Sequence, residues 1–277
     1  IHNAKVVGTL TDAPRLAKSL GMKRAIIAMP SASASARRRA IEICTAARLS
    51  VLTVPAFDDL VSGRVTISQV RKVEVEDLLG REPVQLDEKG LREALSGQVV
   101  MITGAGGSIG SELCRQIARF EPSLLVFFES SEFALYQIEQ EFARRYPNTR
   151  TVCVAGDIKD RARVSQVLTQ FRPSVVFHAA AFKHVPLMEA VNAWEAVRNN
   201  VLGTCVVAQA AIAHQVNRFV LISTDKAVNP VNVMGATKRL AEMVCQSLRP
   251  GVKTRFGIVR FGNVLGSNGS VIPKFHE

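Results

Sequence analysis

The sequence predicts an α/β protein in which a doubly wound parallel sheet follows a smaller, partial α/β domain. Three observations predict it. A glycine-rich turn over residues 103–110 (TGAGGSIG) joins the apolar run VVMI to the helix-forming run SELCRQIARF. Strand-length apolar runs alternate with helix-length amphipathic runs along most of the chain. Three later apolar runs end in polar clusters that a hydrophobic core does not require: Gly156-Asp157-Ile158, HAAAFKHVP and STDKAVNPVNVMGATKR.

In chain order, residues 1–79 form the partial first domain and its connector. KVVG predicts a short strand, and TDAPRLAKSLG a helix capped by Thr11 or Asp12 and stopped by Gly21. RAIIAMP predicts a buried strand, residues 33–48 a helix and SVLTVP another strand, together a parallel sheet. Arg37, Arg38 and Arg39 suit an anion site, but such a run is more often a solvated helix face. Ser31, Ser33 and Ser35 fit cap and turn chemistry. Beyond residue 56 the alternation is lost: residues 57–63 predict one short helix, and residues 80–97 a linker with a helix from Glu88 to Leu95. Residues 98–277 form the second domain. Helices are expected over 108–120, 132–146, 194–214 and 233–247, and strands at LLVFFE, 151–154, 174–178, 218–223 and RFGIVRF.

The totals narrow the function. The chain has 277 residues, enough for one large or two modest domains, and 47% of them are apolar, which excludes wholesale disorder. A net charge of +11 suits an anionic nucleotide, a membrane surface or nucleic acid. The basic residues are scattered, with no zinc-finger spacing or basic–aromatic module, so nucleic acid is not an expected partner. Cys44, Cys114, Cys153, Cys205 and Cys245 are odd in number, lack a CxxC spacing and sit in apolar patterns, which reads as buried, reduced thiols. No HxxH or HExxH arrangement occurs, and no metal is expected. No run approaches the roughly 18 apolar residues of a membrane span. The first residue is Ile1 and the last, Glu277, directly follows an apolar segment, so a fragment cut at both ends is expected.

The glycine turn carries the first chemistry. Glycines let the backbone turn sharply and approach a ligand closely, and the following helix presents N–H groups to a pyrophosphate. Glu129 closes the next apolar run about 20 residues on, where a ribose hydroxyl would be read. Strand, turn, helix and acid together predict dinucleotide binding by Thr103, Gly104, Gly106, Gly107, Ser108, Ile109 and Gly110, rather than a turn without a ligand. Asp157 fits either a helix cap or an adenine contact, with Ile158 beside it. Ala179, Ala180 and Ala181 leave room for a flat cofactor, or simply for close helix–sheet contact. His178 reads as a satisfied core residue, and His184 is ambiguous. Asn199 and Asn200 suit either a brace for the active-site strand or helix capping.

The glycine turn, HAAAFKHVPLMEA, NNVLGT, STDKAVNPVNVMGATK and VRFGNVLGSNGSVIPKF together resemble the extended short-chain dehydrogenases/reductases. Within that Rossmann-fold group they resemble the bacterial polysaccharide-biosynthesis branch of UDP-N-acetylglucosamine 4,6-dehydratases, and STDKAVNP followed by MGATK is the narrow signal. The segment from VVGTL to GREPV is similar to the extra domain of long, membrane-anchored members.

The resemblance implies a UDP-sugar substrate and bound NAD or NADP. Glu129 leans to NAD, while Ser130 and Ser131 leave room for NADP. It implies cofactor contacts from Lys183, Asn200 and Lys238, and substrate contacts from Lys183, His184, Arg260, Asn263, Ser267 and Asn268, with Lys274 a further candidate. A homo-oligomer on the cytoplasmic face of the inner membrane is expected, held to the membrane only by segments absent from this chain.

In that family carbon 4 is oxidised, water is lost across carbons 5 and 6, and hydride returns to carbon 6. The resemblance implies Asp225 as acid and Lys226 as base. Burial should then raise the Asp225 pKa, and burial or a like charge such as Lys238 should lower that of Lys226. Met234 stands four residues before Lys238, where the wider superfamily carries a proton-handling Tyr. Long-form dehydratases share this Met, which argues against a tyrosine-dependent epimerase or reductase. Thr224 as a relay, Asp225, Lys238 or water must then deprotonate the 4-hydroxyl. The resemblance leans to retention at carbon 5.

Overall fold

A computed structural model describes residues 6–29, 31–54, 71–72, 86–262 and 264. The chain divides into two compact units, Ile1–Gln85 and Leu86–Glu277.

In the first unit, α1 (Ala13–Ser19), β1 (Arg24–Ile27), α2 (Ala34–Ala46) and β2 (Ser50–Thr53) alternate as expected. Ala17, Ile27, Ala40, Ile41, Cys44 and Leu49 form its core. Several expectations need correction. Val6 and Val7, in the expected KVVG strand, are exposed and pair with no strand. A 3₁₀ turn over Leu10–Asp12, with Thr9 as its cap, precedes α1. The strand expected to be buried is the edge of its sheet, and Ile26 is 58% exposed. That sheet is mixed: β2 pairs parallel with β1 and antiparallel with β3 (Arg71–Lys72), inside the expected connector. The helix expected over 57–63 lies outside the described residues. Arg37 donates to the Ala32 carbonyl and Arg38 pairs with Glu42 at 2.9 Å, as on an ordinary helix face.

The second unit begins with α3 (Glu88–Leu95), whose bounds match the expectation. Leu91, Ala94 and Leu95 join the core of this unit, so the expected linker helix is built into it. Six strands follow: β4 (Val99–Thr103), β5 (Leu124–Glu129), β6 (Thr151–Ala155), β7 (Val175–His178), β8 (Arg218–Thr224) and β9 (Arg255–Phe261). They form one sheet in the order β6-β5-β4-β7-β8-β9, parallel throughout. The interposed helices are α4 (Ser108–Ala118), α5 (Glu132–Arg145), α6 (Arg161–Phe171), α7 (Val185–Glu189), α8 (Ala193–Ala196), α9 (Thr204–Ala213) and α10 (Val233–Leu248).

Period-two alternation sends each central strand into two cores. Val100, Ile102, Leu125 and Phe127 meet residues of α3, α4 and α5 on one face. Met101, Val126, Phe128 and Val176 meet residues of α6, α9 and α10 on the other. This is the doubly wound fold the sequence predicts.

Two helical features were not expected. Helix α6 is capped by Asp160, which accepts from Arg163 N at 3.0 Å, so the cap falls to Asp160 and not to Asp157. The long helix expected over 194–214 is broken by a π-helical turn, Val197–Gly203, between α8 and α9. No helix among the described residues is long and apolar enough to cross a membrane.

Candidate active site

Strand order reverses between β4 and β7, and ligands of open α/β sheets bind at the carboxyl ends there. Two hollows lie at that edge. One, of about 200 Å³, is lined by Gly104, Gly107, Glu129, Asp157, Ile158 and Ala180, among others. The other, of about 280 Å³, is lined by Ile109, Lys183, His184, Thr224, Lys226, Met234 and Lys238, among others. Each alone falls short of the roughly 300–1,000 Å³ of most ligand pockets. Ala181 and Phe182 line both, so the two hollows adjoin along one cleft.

The glycine turn shapes the floor between them. Gly104 has φ +66°, and a Cβ there would sit 2.7 Å from the Ala180 backbone; on Gly110 it would strike the Gly104 carbonyl. Thr103 ends β4, and Ser108, Ile109 and Gly110 open α4. Glu129 ends β5 and ties into the turn, accepting from Gly106 N at 3.1 Å, Ser130 N at 2.8 Å and Ser131 N at 3.0 Å. Asp157 accepts from Lys159 N and pairs with its Nζ, both at 2.8 Å.

Behind the cleft runs a directed hydrogen-bond chain. Thr204 Oγ1 donates to the Asn200 carbonyl at 2.7 Å, so it accepts from His178 Nε2 at 2.9 Å. His178 Nδ1 then accepts from Thr103 Oγ1 at 2.7 Å. Burial pushes the His178 pKa from 6.5 to about 3, helped by the charge of Lys238, and holds the ring neutral. It is the satisfied core residue the sequence suggests.

Asn200 is a brace. Its Oδ1 accepts from Phe182 N at 2.8 Å, and its Nδ2 donates to Phe182 O and Thr237 Oγ1, each at 3.0 Å. Thr237 in turn donates to Met234 O at 2.8 Å. One buried amide therefore joins the segment after β7 to α10. Asn199 donates to Asn200 Oδ1 at 3.2 Å; neither caps a helix.

Strand β8 delivers Thr224, and a 3₁₀ turn follows over Asp225–Ala227. Thr224 Oγ1 donates to Asp225 Oδ1 at 2.9 Å, and Lys226 Nζ lies 3.1 Å from the same oxygen. The Asp225 side chain is 55% exposed and that of Lys226 35%. Hydrogen bonds from Thr224 and Lys226 hold the Asp225 carboxyl below the usual carboxylate range. This corrects the expectation of a raised pKa, because burial is too slight to oppose those donors.

Asn232 caps α10 through Gly235 N at 2.7 Å, which sets Met234 and Lys238 one turn apart on its inner face. Lys238 Nζ donates to Ile222 O at 2.6 Å, and burial brings its pKa from 10.5 to about 8.

The cleft thus gathers residues from the turn, Glu129, Asp157, residues 180–184, residues 224–226, Met234 and Lys238. Arg260 does not join them: its guanidinium binds Glu242 through Nε and Nη2, because a fully buried carboxylate there demands a cation. Asn263, Ser267, Asn268 and Lys274 lie outside the described residues. Two residues were missed. Phe182 is an apolar residue inside the HAAAFKHVP cluster, and Glu242 lies one turn beyond Lys238.

Residues 100–277 match the family described as "Polysaccharide biosynthesis protein". Capsular polysaccharide biosynthesis protein CapD of Staphylococcus aureus is 48% identical over 276 residues, 99% of this chain and 46% of CapD. A UDP-N-acetylglucosamine 4,6-dehydratase (inverting) of Campylobacter jejuni is 33% identical over 185 residues, covering 64% of this chain and 52% of that protein. A UDP-glucose 4-epimerase of Rickettsia massiliae is 36% identical over 184 residues, again 64% of this chain and 52% of that protein. The chain spans about half the length of these curated relatives. The X-ray structure of Pen from Bacillus thuringiensis superposes with a TM-score of 0.60 at 37% identity, covering 65% of this chain and 57% of that one.

Proposed function

The chain belongs to the polysaccharide biosynthesis protein family, and we propose that it acts as an NAD- or NADP-dependent nucleotide-sugar 4,6-dehydratase on UDP-N-acetylglucosamine. One observation carries the reading. Met234, which can exchange no proton, lines the same hollow as Thr224, Lys226 and Lys238. A site for tyrosine-dependent epimerisation or reduction has a phenol there; this one has an adjacent hydroxyl, carboxylate and amine instead.

The residues fit a dinucleotide. The Gly104–Ala180 approach leaves a cradle that a Cβ would fill, and Glu129 stands at its rim as a ribose acceptor. When bound, the nicotinamide supplies oxidising power at carbon 4 and returns the hydride at carbon 6. The chain's own side chains move the protons. Thr224 relays the 4-hydroxyl proton to the ionised Asp225, along the 2.9 Å hydrogen bond between them. Lys226 Nζ, 3.1 Å from Asp225 and partly open to solvent, acts as the base in its neutral form, having given one proton to water. Neutral Lys226 then takes the carbon-5 proton, activated by the neighbouring ketone, while Asp225 gives its own to the departing 6-oxygen. Lys226 returns its proton to carbon 5 as the hydride arrives at carbon 6, then recovers one from water. The balance is one sugar in, one 4-keto-6-deoxy sugar and one water out.

Full-length protein incubated with UDP-N-acetylglucosamine and NAD should give a product lighter by one water in mass spectrometry. Asp225→Asn and Lys226→Ala should each cut turnover by at least about 10²-fold while NAD still binds. Near-normal turnover in either variant would overturn the reading. A product of unchanged mass would mark an epimerase, and binding without product a sensor. The carbon-5 configuration, retained by family likeness yet inverting in the name of the Campylobacter relative, is read from the product by NMR. Attachment to the cytoplasmic face of the inner membrane and self-association belong to the same proposal, and fractionation and light scattering of the full-length protein test them.

A further inference from the structure

Glu242 is fully buried, yet four hydrogen bonds converge on its carboxylate. Ser223 Oγ donates to Oε1 at 2.6 Å, and Arg260 donates to Oε1 at 2.8 Å and to Oε2 at 2.5 Å. Arg239 Nη1 donates to Oε2 at 3.1 Å. Burial alone would raise this acid, but the donors from Arg260, Ser223 and Arg239 outweigh it and bring its pKa down to about 2.

The donors come from three segments that also build the reactive hollow. Ser223 precedes Thr224 on β8, and Arg260 precedes Phe261 on β9; the two are register partners across those strands. Glu242 itself follows Lys238 by one turn of α10. Thr224, Lys238 and Phe261 all line the hollow. The spacing between them is therefore set one residue, or one turn, away, at a single buried anion.

We propose that Glu242 is a positioning residue for the reaction, and that Arg260 acts as its fixed partner rather than as a contact to the sugar nucleotide. This rests on the dehydratase reading for its kinetic part only. A bidentate guanidinium–carboxylate pair fixes distance and orientation together, which a lysine in place of Arg260 does not reproduce. Removing Arg260 leaves the buried Glu242 carboxylate with one guanidinium, Arg239, and the Ser223 hydroxyl, whereas neutralising Glu242 as well leaves no buried charge to compensate.

Two measurements on the full-length protein test it. In thermal unfolding, Glu242→Gln and Arg260→Gln should each melt below wild type, and the double variant above the worse single variant. In steady-state dehydration, well below those melting temperatures, Arg260→Gln, Arg260→Lys and Glu242→Gln should each lower kcat about 10-fold or more, with KM for UDP-N-acetylglucosamine within about twofold of wild type. Ser223→Ala, which leaves both arginines on the carboxylate, should show a smaller loss of kcat and covers the case of a single variant that fails to fold. If KM rises in the Arg260 variants while Glu242→Gln keeps normal kinetics, Arg260 contacts substrate and the proposal falls. It falls too if all the variants melt early yet turn over normally. If the wild-type protein releases no keto-sugar, the dehydratase reading has failed, and the thermal cycle still decides whether the pair is coupled.

Discussion

His178 shows what a single residue contributes here. Its folded pKa of about 3 lies below the 6.5 of an open chain, so the unfolded state takes up the proton first as pH falls. Its stabilising contribution is therefore complete above about pH 6.5 and erodes towards pH 3, by about 1.4 kcal/mol per pH unit. Urea midpoints at pH 7, 6 and 5 should fall in wild type, and more shallowly in His178→Gln, in a range where Glu242 remains ionised. A wild-type profile flat over that range would contradict the buried neutral ring. His178 was legible in the sequence because a histidine closing an apolar strand has few other fates. Arg260 was not: its partner lies 18 residues earlier on another element, and nothing local marks the pair. The state of Asp225 was misjudged because burial was assumed, whereas its neighbours Thr224 and Lys226 set it.

Elements position the site through turns and caps. The π-helical turn inserts Asn200 between Phe182 and Thr237, with all three hydrogen bonds buried or partly buried. Asn200→Ala should destabilise the protein by roughly 2–4 kcal/mol, since it strands more than one buried polar group. Asn200→Asp should be no better, because a carboxylate would face the Phe182 carbonyl it now donates to. Hydrogen exchange at the Phe182 amide should quicken in both variants; unchanged exchange would remove Asn200 from its bracing role. Gly104→Ala combines a left-handed backbone with a 2.7 Å clash against Ala180, and should abolish NAD binding in calorimetric titration. The glycine turn could be read directly, since its spacing is local. Helix α6 could have been: Asp160 is its cap, and Val164, Val167, Leu168 and Phe171 keep helical spacing. The π-helical turn could not, because its cause is a contact made across the fold.

At the scale of the molecule, two units each carry their own core. Only the second holds the cleft, and a ligand stabilises just the part whose native state it binds. Saturating NAD, at about 100 times its dissociation constant, should stabilise the second unit by about 2.7 kcal/mol. Calorimetry in which that unit does not shift would put the dinucleotide elsewhere. The alternation of apolar runs made this plan legible, including the reversal of strand order where ligands gather. The mixed character of the first sheet stayed hidden because β3 is two residues long. Phe182 borders both hollows. A party wall cannot be rebuilt for one tenant alone. Remodelling that ring to admit a bulkier hexose should also loosen the grip on the nucleotide next door, so changes in sugar selectivity and in cofactor retention should arrive as a linked pair.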